Sequence, residues 1–105
     1  MLITGGYDIQ EAPEFASGTS LQGYVTTTHG QLTRIFGSPY EYGPYEKVTT
    51  EWSVLIDGVQ ATIYDYKTHD TPYRIYDWHI GGFSPEAAAL VQAIVAIDSV
   101  TEWKI

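Results

Sequence analysis

The stretch from Val48 to Tyr66, VTTEWSVLIDGVQATIYDY, decides the fold. VTTEWSVLI and VQATIYDY are rich in β-branched and aromatic residues. Asp57-Gly58 between them is a residue pair favoured by a two-residue hairpin turn. Such a turn pairs Ile56 with Val59, Val54 with Ala61 and Trp52 with Ile63. Side chains alternate along a strand, so these six point to one side, the core face. The opposite face carries Glu51, Ser53, Leu55, Gln60, Thr62, Tyr64 and Tyr66. A buried core does not need that mixed polar and aromatic surface. It can face solvent, a second subunit or a ligand.

Working outward, LQGYVTTT (21–28) reads as another strand. Thr28 then caps a helix over HGQLTRIFG, where Leu32, Ile35 and Phe36 share a face. Gly37 suits a left-handed stop and Pro39 prevents continuation. Residues 1–19, with Gly5, Gly6, Pro13 and Gly18, read as irregular apart from a strand or packing arm at Leu2 and Ile3. SPYEYGPYEK (38–47) is a turn-rich loop. Downstream, RIYDWHI (74–80) reads as a strand broken by Gly81 and Gly82. Ser84 caps a second helix, with Pro85 at its first position and Glu86 at its positive end. In PEAAALVQAIVAI, residues Ala87, Leu90, Val91, Ile94 and Val95 can cover a sheet. SVTEWKI (99–105) reads as a final short strand. The expected architecture is α+β: a single domain with a mostly antiparallel β-sheet and two α-helices packed on its apolar face.

The 105 residues include 13 Asp and Glu against 5 Lys and Arg, a formal net charge of −8. Extended DNA or RNA is excluded as a partner, because such affinity comes largely from Lys and Arg neutralising phosphates. An acidic chain can instead bind a basic host protein. With no cysteine there is no disulfide framework and no thiolate metal site. The N-terminus has no basic region followed by an apolar run, and no segment approaches the roughly 20 apolar residues of a membrane span. A soluble intracellular protein without membrane contact is expected.

In this acidic chain, KTHDTPYR (67–74) gathers two of the five basic side chains, a histidine and a tyrosine between two aromatic-rich strands. Arg holds phosphate in a bidentate fork, Lys acts as a point charge, and aromatic rings stack on bases. The candidate ligand-binding set is therefore Tyr66, Lys67, His69, Arg74, Tyr76 and Trp78, joined by Arg34 from the first helix. Gly81, leading with Gly82 into a helix N-terminus, adds backbone N–H groups able to hold phosphate. The plainer alternative makes the aromatics core-edge residues, the cations members of surface ion pairs, and the glycines a strand-to-helix turn. His69, Asp70, Asp77 and His79 lie close in sequence, but their spacing specifies no metal, and none is assigned. Asp65 and Asp77 could serve acid–base chemistry, yet no nucleophile, base and orienting group assemble around them. No catalytic residue and no cofactor is assigned. An enzyme is the least favoured class.

Four motifs in order resemble a known family. They are FG-x-P (Phe36 to Pro39), K-V-x-x-E-W (Lys47 to Trp52), ATIYDYK (Ala61 to Lys67) and WHIGG (Trp78 to Gly82) before a final helix. This order is similar to small bacteriophage proteins of the Thoeris anti-defence sponge type. The resemblance spans residues 24 to 95. It implies a protein of the host cytoplasm that binds a cyclic ADP-ribose isomer, an immune signal, and sequesters it without cleavage. It also implies a homo-oligomer, a dimer or a hexamer, with the small cyclic nucleotide ligand at a subunit interface. For some members the resemblance also implies a second site that holds cyclic oligonucleotides. The competing expectation is an acidic phage inhibitor that binds a host or defence protein directly.

Overall fold

A computed structural model describes residues 2–12 and 18–103. The chain runs β1 (Leu2–Thr4), β2 (Tyr7–Glu11), β3 (Ser20–Thr27), α1 (His29–Phe36), β4 (Tyr40–Glu41), β5 (Thr50–Ile56), β6 (Val59–Tyr64), β7 (Tyr76–Gly82) and α2 (Pro85–Trp103). The strands form one antiparallel sheet in the order β1-β2-β5-β6-β7-β3, with β4 beside β2 on the outer edge of β5. Both helices lie on one face, which makes the fold α+β.

The hairpin forms in the expected register. Ile56 opposes Val59, Val54 opposes Ala61 and Trp52 opposes Ile63. Asp57 and Gly58 both have positive φ, 49° and 83°, as the hairpin turn of that twist requires. The core lies between this face and the helices. Trp52, Ile63, Trp78 and Ile80 from the sheet meet Leu32, Val91 and Ile94 from the helices, all fully or almost fully buried. Thr28 caps α1, its hydroxyl accepting from the Gln31 amide at 3.1 Å. Leu32, Ile35 and Phe36 form the buried stripe of that helix.

Four expectations are corrected. Leu2 and Ile3 do lie in a strand, but residues 5–11, expected to be irregular, complete a regular hairpin with it, with Gly5 and Gly6 at φ 59° and 88° in its turn. The expected strand over 74–80 starts at Tyr76. Gly81 and Gly82 belong to that strand, paired to β6 and to β3, rather than breaking it. A Cβ on Gly82 would lie 2.5 Å from Cβ of Ala87, so the absence of a side chain there lets α2 press onto β7. Finally, α2 continues through Trp103, where a last strand was expected from residue 99, because nothing in SVTEW breaks a helix. Residues 104–105 and Pro13 lie outside the described residues.

One edge of the sheet is β3. The Gln92 side chain of α2 reaches over it and donates to the Tyr24 carbonyl at 2.9 Å.

Candidate functional site

The loops 42–49 and 65–75 meet at one end of the sheet, and Asp65 organises them. Its side chain is fully buried just beyond β6. Oδ1 accepts from the Thr49 and Thr50 amides at 2.8 and 3.1 Å. Oδ2 accepts from the Thr49 and Thr68 hydroxyls at 2.6 and 2.5 Å. The Thr71 hydroxyl lies 2.8 Å from those of both Thr49 and Thr50, which ties in the far side of the loop. The backbone stitches continue outward. Lys67 donates to the Lys47 carbonyl at 2.7 Å, and Tyr45 to the His69 carbonyl at 2.8 Å. Tyr45, Lys67 and His69 all have positive φ, between 56° and 70°. Three non-glycine residues in that region mark a backbone held in shape by its surroundings, a feature that clusters at binding sites.

A groove of about 640 Å³ runs along the second loop, lined by Thr68, Asp70, Thr71, Pro72, Tyr73, Arg74, Ile75 and Tyr76. That volume is in the range of small-molecule sites. Arg74 and Tyr76, both in the candidate set, share it. Tyr66 adjoins it, because its amide donates to the Tyr76 hydroxyl at 3.2 Å. The Lys67 ammonium sits 5.3 Å from the centre of the Tyr66 ring. Burial pushes the Tyr76 hydroxyl above its usual pKa, against the hydrogen bond from the Tyr66 amide and with the charges of Asp65 and Asp77 adding to the rise.

The remaining candidates scatter. His69 is on the 65–75 loop but points to the other loop, its ring 5.6 Å from that of Tyr45. Gly81 lies in a ladder on the helix-free face, not at a helix end, because α2 begins only at Pro85. A phosphate cradle there is therefore overturned. Trp78 is 0% exposed on the helix side, packed on Trp52 and donating to the Thr27 carbonyl at 3.1 Å. It is a core residue, and no ligand can reach it. Arg34 projects from α1 to Asp98 of α2 at 2.5 Å, away from the loop. Burial of Asp98 opposes ionisation, but hydrogen bonds from Arg34 and Gln31 prevail and hold its carboxyl below the usual range.

A second cluster lies on the helix-free face, where the sequence already placed Glu51, Tyr64 and Tyr66; what sequence reasoning missed is that His79 and Tyr24 join them. Registers place Tyr40, Glu51, Tyr64, His79 and Tyr24 in one row across β4, β5, β6, β7 and β3. The His79 ring lies 4.9 Å from Tyr24, 5.3 Å from Tyr64 in a stacked arrangement, and 5.7 Å from Tyr66. Its Nδ1 is buried and makes no hydrogen bond to the described residues. Desolvation lowers the His79 pKa, against the charge of Asp65, so the ring is neutral near pH 7. Burial pushes the Glu51 carboxyl up, although Tyr42 donates to it at 3.1 Å. The signal that finds this row is the strict alternation of β7: Tyr76, Trp78 and Ile80 face the helices, while Asp77, His79 and Gly81 face away.

Among the described residues, no group of three or more His, Cys, Asp or Glu side chains could hold a metal, and no helix is long and apolar enough to cross a membrane. No protein-family model, curated protein or solved structure matches the chain.

Proposed function

We propose that this protein binds a small, phosphate-bearing cyclic nucleotide of the cyclic ADP-ribose type and sequesters it without cleavage, as a phage anti-defence protein in the host cytoplasm. The observation that carries the reading is the groove where Arg74 and Tyr76 stand together, joined through the Tyr66 amide to the Tyr66–Lys67 pair. Arg74 offers a fork for a phosphate, and Lys67 a second positive charge. Tyr73 and Tyr76 offer ring faces for a base, an interaction worth about 1–3 kcal/mol in nucleic-acid complexes. The strained backbone turns fix these groups before a ligand arrives, which lowers the ordering cost of binding. Homo-oligomerisation, to a dimer or hexamer, follows from the same family resemblance.

The test is thermal denaturation with cyclic ADP-ribose isomers, followed by recovery of the ligand. At a hundredfold excess over Kd a ligand stabilises by about 2.7 kcal/mol. For a domain of this size that is a rise in Tm of roughly 10–20 °C. The recovered ligand is expected intact, and Arg74→Ala should remove the shift. Absence of any shift with the isomers, or recovery of a hydrolysed product, refutes the proposal. Native mass spectrometry of the purified protein reads the subunit count.

A further inference from the structure

The helix-free face of the sheet has a charge pattern of its own. Among the described residues, none of the seven strands contains Lys or Arg. The same face carries Asp8, Glu51 and Asp77. Beside Glu51 and Asp77 lies the aromatic cluster: Tyr24 is 49% exposed, Tyr66 is 40% exposed, and Tyr64 and His79 are half-buried. Asp77 is exposed and accepts one hydrogen bond, from the Thr26 hydroxyl at 2.6 Å on Oδ1. Tyrosine faces flanked by carboxylates attract cations, because the ring quadrupole and the negative charges act in the same direction. The protein itself supplies one example: the Lys67 ammonium, arriving from the loop, rests over the Tyr66 ring.

We propose that this face docks an arginine-bearing segment of a partner protein, with guanidinium groups stacked on Tyr24 and Tyr64 and paired with Asp77 and Glu51. Arginine fits better than lysine because its flat guanidinium stacks on rings while forking to a carboxylate. A second copy of this chain fits worse. Twofold packing of this face on itself brings three further carboxylates to a surface that already holds three, and the strands of the described residues add no cation to offset them. Neutral His79 adds no repulsion to an incoming cation and contributes a further ring. Lys67 competes for this surface as a tethered internal cation. Its removal therefore has opposite effects at the two sites: it weakens a phosphate ligand in the neighbouring groove and strengthens a cation on the face.

The experiment titrates the full chain, followed by NMR, with a tetra-arginine peptide and with the same peptide in citrulline, which keeps the shape and loses the charge. Shifts are expected to concentrate on Tyr24, Tyr64, Tyr66 and His79. Citrulline should bind at least tenfold more weakly. Tyr24→Ala should reduce arginine binding about tenfold, while Tyr24→Phe, which keeps the ring, should retain most of it. Lys67→Ala should tighten arginine binding two- to fivefold. Equal binding of the two peptides overturns the proposal, as do shifts spread evenly over all acidic residues. Concentration-dependent self-association that covers Tyr24 before peptide is added also overturns it. None of these outcomes depends on a nucleotide, so the docking face and the groove stand or fall separately.

Discussion

Replacing Asp65 by alanine should destabilise the protein by about 2–4 kcal/mol, and the geometry shows where that figure arises. The carboxylate accepts four hydrogen bonds, two from the Thr49 and Thr50 amides and two from hydroxyls. The Thr68 hydroxyl can turn to water, and the Thr49 hydroxyl keeps Thr71 as a neighbour. The two amides belong to buried residues and lose their acceptor. Each orphaned buried group costs about 1–3 kcal/mol. Removing the buried charge also relieves its desolvation, which trims the total. Asp65→Asn should cost only about 1–2 kcal/mol, because its carbonyl can keep both amides while its NH2 faces hydroxyls able to reverse and accept. The assay is urea denaturation of both variants. With a slope of about 1.5 kcal/mol/M, alanine should lower the midpoint by roughly 1.5–2.5 M and asparagine by about 1 M. The order of the two variants is the critical result. Asn as damaging as Ala, or Ala costing less than 1 kcal/mol, would refute the account of the loops as organised by this carboxylate.

Other substitutions probe different parts of the molecule. Gly82→Ala places a methyl 2.5 Å from Cβ of Ala87 and 3.2 Å from the Gln60 carbonyl. Overpacking of this kind costs about 1–3 kcal/mol, so calorimetry should show Tm falling by roughly 5–20 °C. Thr28→Ala removes the acceptor for the Gln31 amide and should cost about 1 kcal/mol, read by chemical denaturation. His29, packed against Tyr73 and Trp52, and His79 both have pKa values lowered by desolvation, against the charges of Glu41 and Asp65 respectively. The unfolded chain therefore binds more protons than the folded one. The stability these histidines contribute is full above about pH 6.5 and is lost as pH falls through their folded pKa values. Urea midpoints should drop between pH 7.5 and 5.5, and the slope should shrink in His29→Asn and His79→Asn. An unchanged slope in both variants would contradict the burial argument.

Local chemistry made much of the fold legible. Asp57-Gly58 specified the central hairpin and its register. Thr28, the Leu32–Ile35–Phe36 stripe and Gly37 specified α1. Gly5-Gly6 carried the same kind of turn signal, but the flanking strands are short, and their pairing to β5 is a long-range event that no local pattern announces. The site was harder to read. Tyr76, Trp78 and Ile80 share a parity within β7, and that parity alone sends Trp78 into the core. Grouping it with Tyr66 relied on residue type where alternation should have ruled. Arg34 was assigned by chemistry without regard to its helix, whose polar side looks toward Asp98. The Tyr24–His79 contact was out of reach, since it depends on the β3–β7 register and on a bulge between Leu21 and Gly23.

The glutamine that leans from α2 over β3 limits how the protein can build larger structures. A strand arriving at that border finds the Tyr24 carbonyl already engaged by Gln92. The opposite border ends in a strand of only three residues. Sheet-to-sheet extension, the route by which unguarded borders grow into fibres, is obstructed at one end and offers little purchase at the other. Assembly is thereby steered toward side-chain contacts on faces and loops, where composition can choose the neighbour.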